Sequence, residues 1–202
     1  DAGRSLLYAT SRYVDVYKAL EDIARERKLT PEERAECKTY SKLADAFTPV
    51  AKGMTSEYAN QNTYDGIQVH GGSGFMLEYA CQRLYRDARI LSIYEGTTQL
   101  QVVAAIRYIT NGFYKTVIEE LAETEVSAEM QPLKDKILAA AEKYYAAVEK
   151  VNEAKNDEYK DLCARHLYDM VAPIIQALLL IADASRAPEL FAEDARVYAR
   201  FV

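Results

Sequence analysis

The sequence predicts an all-α protein: an antiparallel up-down helical bundle followed by a second helical module. Three observations predict this. Apolar residues recur at intervals of three and four almost from end to end, the period of a helix with one buried face. Only eight glycines and five prolines interrupt 202 residues, half of them hydrophobic. No run alternates apolar and polar residues as a half-buried strand must, and there is no tandem repeat.

The periodicity starts at once. Leu6, Leu7, Val14, Tyr17 and Leu20 predict a first helix over 2–27. No initiator Met, cap or irregular lead precedes it, so the chain reads as beginning within a helix of a longer protein. Thr30-Pro31-Glu32-Glu33 restarts the chain as a helix. Thr30 is the cap, Pro31 needs no donor at the first helical position, and Glu33 reaches back to the cap. Ala35, Tyr40, Leu43 and Phe47 continue the pattern to Pro49, which lacks an N–H and is expected to kink or restart the helix near Thr48. Val50, Met54, Tyr58, Asn62 and Asp65 carry it on to Gly71-Gly72, where left-handed backbone is cheap.

Residues 73–78 read as a loop, 79–89 as a short helix and 90–96 as an irregular connection. Thr97 opens a long helix with Leu100, Val103, Ile106 and Ile109 on one stripe. Asn111-Gly112 breaks it before Phe113, Val117 and Leu121 resume. The acidic stretch 119–129 marks a boundary, giving a bundle over 1–124 and a further module over 125–202. There, Ser127 or a neighbour caps a helix over 130–154, and Asn156-Asp157 is a turn. Tyr159, Leu162, His166, Met170, Ile174 and Leu178 predict a buried stripe, with His166 as a core residue, and Pro188 starts a last helix.

A formal charge of −6 and a pI near 5.1 argue against nucleic-acid binding, which needs a basic face. Cys37, Cys81 and Cys163 are odd in number and far apart, which favours a reducing compartment, taken as cytoplasmic, over a disulfide or zinc framework. Only two histidines occur, without ligand spacing, so no metal site is expected. The apolar run Val171–Ala182 is shorter than the roughly 20 residues a membrane span needs and reads as a buried helix. The 16 tyrosines read as helix-packing residues with their hydroxyls at the edges.

The chemistry concentrates between residues 68 and 99. The glycine pair Gly71-Gly72 would let backbone N–H groups approach a phosphate or a ring edge, with Gln68 adding an amide one turn upstream. Glu95 stands between Tyr94 and Gly96, beside the helix that Thr97 opens. Burial against Ile93 and Tyr94 would raise its carboxyl pKa and the helix end would lower it, leaving a base suited to a weakly acidic proton. That reading requires a sheltered carboxylate close to the glycine pair. The competing reading is a structural turn in a helical interaction module. Arg86, Asp87 and Arg89 are expected to form a salt bridge that fixes the Glu95 loop.

Gln68-Val69-His70-Gly71-Gly72-Ser73-Gly74-Phe75, Arg86-Asp87-Ala88-Arg89 and Ile93-Tyr94-Glu95-Gly96-Thr97-Thr98-Gln99 stand here in one order and spacing. Together they resemble the C-terminal helical domain of FAD-dependent acyl-CoA dehydrogenases. Leu43 to Lys52, and the additional C-terminal module, resemble the longer members. The resemblance is strong over residues 40–110 and architectural beyond 125. It implies that Glu95 takes the α-proton of an acyl-CoA thioester while the β-hydrogen leaves as hydride to FAD N5, giving a trans-2-enoyl-CoA. It implies that the N–H of Glu95 helps polarise the thioester carbonyl, and that Gly96, with Tyr94, lines the substrate's path. Gln68, Val69, His70, Gly71 and Gly72 would touch the FAD of a neighbouring subunit, and Thr97 and Gln99 that of their own. The implied partners are electron transfer flavoprotein and further copies of the chain, as a dimer or tetramer. The family's N-terminal helical and middle β domains are not in this sequence, so the chain alone is expected neither to hold FAD tightly nor to turn over.

Overall fold

Nine helices and no strand make up the computed structural model, which describes residues 1–202. They are α1 (Ala2–Glu26), α2 (Pro31–His70), α3 (Gly72–Phe75), α4 (Ala80–Leu91), α5 (Thr98–Thr110), α6 (Phe113–Ala122), α7 (Gln131–Glu153), α8 (Asp157–Arg186) and α9 (Pro188–Tyr198).

The breaks lie where local chemistry puts them. At Thr30 the capping box is complete: the Glu33 N–H donates to the Thr30 hydroxyl at 3.2 Å, and the Glu33 carboxylate accepts the Thr30 N–H at 2.9 Å. Gly71 and Gly112 take φ of +61° and +80°, conformations that a Cβ would strain, and end α2 and α5. Asn156 caps α8 through the Tyr159 N–H. At α7 it is the Ser127 carbonyl, not its hydroxyl, that accepts the N–H groups of Met130 and Gln131.

Three expectations are corrected. First, α2 runs unbroken through Pro49. Proline removes the N–H that would have bonded to the Asp45 carbonyl, but Asp45 is on the exposed side, where water can replace it. On the inner side the core grips the helix: the Tyr114 hydroxyl donates to the Ala46 carbonyl (2.6 Å) and the Tyr168 hydroxyl to that of Pro49 (3.0 Å). These hydroxyls are buried between helices rather than at their edges. Second, residues 72–75 form a helical turn rather than opening a loop. Gly74 is buried against the end of α2, where a Cβ would stand 2.7 Å from the Ile67 carbonyl oxygen.

Third, the buried stripe of α8 is Ala164, Leu167, Tyr168, Val171, Ile174, Ile175 and Leu178. Tyr159, Leu162 and His166 face outward. Steps of four overshoot a 3.6-residue turn by about 40° each, so a stripe read in fours drifts off the buried face within a few turns.

α8 is the central helix, packed by α1, α5, α6, α7 and α9. It is also the one helix long and apolar enough to cross a bilayer by length and composition, but its most apolar window is 67% buried in the bundle. Thirty-five buried residues form one continuous core, which includes Leu6, Phe47 and Val102 together with Ile137, Ile175 and Ala195, and so runs across residue 124.

Candidate functional site

The loop from Ser92 to Thr97, between α4 and α5, is held at both ends. On one side the Asn60 amide on α2 donates to the Ala88 carbonyl at 3.1 Å, and Arg89 donates to the Ser92 hydroxyl. On the other, the Thr98 N–H closes back on the Ser92 carbonyl (3.2 Å), and the Thr98 hydroxyl donates to Glu57 of α2 (2.7 Å). Thr97 caps α5 by accepting the Leu100 N–H.

Between these anchors the backbone turns left-handed. Glu95 has φ of +52°, a region sparsely populated by residues with a side chain, and Gly96 follows at +91°. A Cβ on Gly96 would stand 2.7 Å from Gln101 Nε2. The Gly96 carbonyl accepts Lys52 Nζ at 2.5 Å and Gln101 Nε2 at 3.3 Å. The N–H groups of Glu95, Gly96, Thr97 and Gln99 donate to nothing in the chain.

Two open clefts flank this turn. One, of about 320 Å³, is lined by Lys52, Thr55, Ser56, Leu91, Tyr94 and Glu95. The other, of about 470 Å³, holds Thr97 and Gln99 with Glu57, Asn60, Tyr85 and Arg89. A larger cleft of about 530 Å³ beside Tyr144 and Val148, between the α5–α6 turn and α7, contains none of the candidate catalytic, cofactor or substrate residues.

The structure thus gathers Tyr94, Glu95, Gly96, Thr97 and Gln99 on one turn. It does not bring them to the glycine pair. Gln68, Val69, His70, Gly71 and Gly72 are exposed at the far end of α2, with His70 Nδ1 on the Gly66 carbonyl. Ser56 shares the Glu95 cleft, and Gly71 lies 15 residues beyond it, about 22 Å at the helical rise. Glu95 is exposed, and Ile93 and Tyr94 are each 46% exposed, so the expected burial of the carboxylate is absent from this chain. The expected salt bridge is also absent: the chain's ion pairs involve none of Arg86, Asp87 and Arg89. Arg89 steadies the loop through Ser92 instead.

Lys52, Glu57, Asn60 and Gln101 carried no assigned role in the sequence reading. Lys52, Ser56 and Asn60 recur every four residues, two positions out of step with the Val50, Met54 and Tyr58 stripe, so periodicity marks them as a solvent face; the packing of α4 and α5 against α2 is what covers them.

Two family models cover the chain from residue 18 to its end. Residues 18–109 match the acyl-CoA dehydrogenase C-terminal domain, and residues 110–202 match a second family described as acyl-CoA dehydrogenase C terminal. The chain belongs to the acyl-CoA dehydrogenase family. Its second half, where the motifs gave only an architectural likeness, therefore carries family sequence as well. The 3-methylmercaptopropionyl-CoA dehydrogenase of Ruegeria pomeroyi is 39% identical over 102 residues, half of this chain but 15% of that protein. Among solved structures, Caenorhabditis elegans ACDH-11 in complex with C11-CoA aligns with 99% of this chain and 33% of its own (TM-score 0.71, 23% identity). The Bacillus anthracis acyl-CoA dehydrogenase complexed with FAD aligns with 98% and 35% (TM-score 0.63, 23% identity). These likenesses establish the fold; the chain spans about a third of each solved protein.

Proposed function

We propose that this chain is the C-terminal part of a flavin-dependent acyl-CoA dehydrogenase and that Glu95 is the base that removes the α-proton of an acyl-CoA thioester. The observation that carries the reading is the Glu95–Gly96 turn, held left-handed between two clefts with its N–H groups unspent. A carboxylate takes the proton; the Glu95 N–H donates to the thioester oxygen as enolate charge builds there, the oxyanion-hole logic. Tyr94 and Gly96 flank the acyl chain.

The residues fit FAD. Thr97, Gln99 and the Arg89 guanidinium line one polar cleft at the start of α5, where free N–H groups and the helix dipole favour an anionic group. FAD bound there would supply the hydride acceptor for the β-hydrogen, with the trans-2-enoyl-CoA as product. Gly71 lies about 22 Å along α2 from the Glu95 cleft, so within one chain the glycine pair does not meet Glu95; on the family likeness, Gln68, Val69, His70, Gly71 and Gly72 are assigned to the FAD of a neighbouring subunit. Val69, Phe75, Leu77 and Tyr79 are 50% or more exposed around that glycine pair, as suits a surface covered in a homodimer or homotetramer. Electron transfer flavoprotein is the proposed acceptor, on the family likeness. Three unpaired cysteines suit a reducing, cytoplasmic setting.

Glu95→Gln in the full-length protein tests the base. Thioester-dependent bleaching of the flavin should vanish while FAD stays bound; bleaching at near the parent rate would make the turn structural. The 202-residue chain alone should purify without stoichiometric flavin absorbance, because its clefts are open.

A further inference from the structure

We infer that Lys52 is a positioning residue for this reaction: by holding the Gly96 carbonyl it fixes the backbone conformation from which Glu95 acts. The inference rests on the proposed function and adds a residue to it. The other anchors lie before or after Glu95 and Gly96: the Ile93 and Tyr94 N–H groups close on the Ile90 carbonyl, and Ser92, Thr97 and Thr98 are held as described. At the two left-handed residues, Glu95 and Gly96, the one group held is the Gly96 carbonyl, by Lys52 Nζ from 44 residues away and by Gln101 Nε2. Left-handed backbone at Glu95 is intrinsically disfavoured, so the conformation persists only if its surroundings impose it. These two donors are what impose it here.

Lys52 suits that task because of where it is mounted. It extends from a part of α2 whose other side is locked into the core: Tyr168 reaches the Pro49 and Val50 carbonyls and packs against Gly53, the next residue. A site held by a rigid helix is placed more accurately than one held by a loop. The amine enters no ion pair in the chain, so the carbonyl is its bonded partner. Its side chain also lines the cleft that contains Glu95 and Tyr94, which leaves it beside the reacting groups without touching them through any hydrogen bond.

Steady-state kinetics on the full-length, FAD-loaded protein test this. Lys52→Met should lower kcat roughly 10- to 100-fold, since a displacement of about an ångström at a reacting group costs that much. KM for the acyl-CoA should stay within about threefold and the flavin spectrum unchanged, because binding contacts are not removed. Lys52→Arg, which can reach the same carbonyl, should recover most of the loss. Parent-like kcat in Lys52→Met overturns the inference, as does a loss confined to KM. If Lys52→Met fails to retain flavin, Lys52→Gln, whose amide is one bond shorter and stops short of the Gly96 carbonyl, takes its place: a lowered kcat at normal flavin content supports the inference and an unchanged one overturns it. Glu95→Gln in parallel separates the two ideas. If it is active, the proposed function fails; if it is inactive while Lys52→Met is not, only the role of Lys52 fails.

Discussion

Glu33 shows how much a single residue can carry. Its carboxylate is held down to about 2, first by the Arg27 guanidinium and then by the Thr30 N–H it accepts. A depressed carboxyl pKa stabilises the fold above the unfolded value near 4.5, and that contribution is lost as pH falls towards 2. The start of α2 should therefore fray in that window. Carboxyl titration by NMR should place the Glu33 midpoint near 2 in the parent and close to the ordinary value in Arg27→Ala; an unmoved midpoint would mean that the guanidinium is not the cause. The cap itself was legible because all its partners lie within four residues. Glu95 was legible as a motif residue for the same reason. Lys52 was not, because its partner is 44 positions distant and only the packing of α4 and α5 against α2 brings them together.

At the scale of the element, α2 is decided by what leans on it. Pro49 argued for a break, and propensity favoured one; tertiary bonds from Tyr114 and Tyr168 overrode it. The fit leaves no room. A Cβ on Gly53 would stand 2.2 Å from the Tyr168 hydroxyl oxygen and 3.1 Å from the ring carbon bearing it, and a buried ring cannot swing aside as a long flexible chain would. Gly53→Ala should cost about 1–3 kcal/mol in denaturant unfolding, the usual range for overpacking. Tyr168→Phe should cost about 0.5–1.5 kcal/mol by removing the buried hydroxyl's bond to carbonyls that keep their helical partners. Because the two residues touch, the double variant should cost less than the two losses added together; strict additivity would show that the crowding is relieved elsewhere. The misassigned face of α8 makes the complementary point. Its helical character was plain from period and cap, but the phase of a 30-residue helix wrapped on most sides by others is set by its neighbours, which the pattern of one helix does not name.

Across the whole molecule, buried and half-buried tyrosine hydroxyls tie the second half of the chain to the first. Tyr114 of α6 and Tyr168 of α8 reach carbonyls of α2. Tyr198 of α9 and Tyr58 of α2 meet each other at 2.7 Å and share the buried Gln176 of α8. Burial raises the pKa of all four above the usual value near 10, and of Tyr144 as well. For an acid whose neutral form is the buried one, a raised pKa means that the fold is supported below pH 10 and destabilised as pH climbs beyond it, because the unfolded chain releases those protons more readily. The ties cross between the matched family segments, and one core runs beneath both. The halves should therefore come apart together. An alkaline titration followed by tyrosinate absorbance and by helical circular dichroism should show the exposed tyrosines ionising first with helicity intact. The buried set should then ionise in a single step coincident with helix loss. Two separated steps of helix loss would mean that the segments before and after residue 110 are independent folding units, and that the hydroxyl contacts between them contribute little.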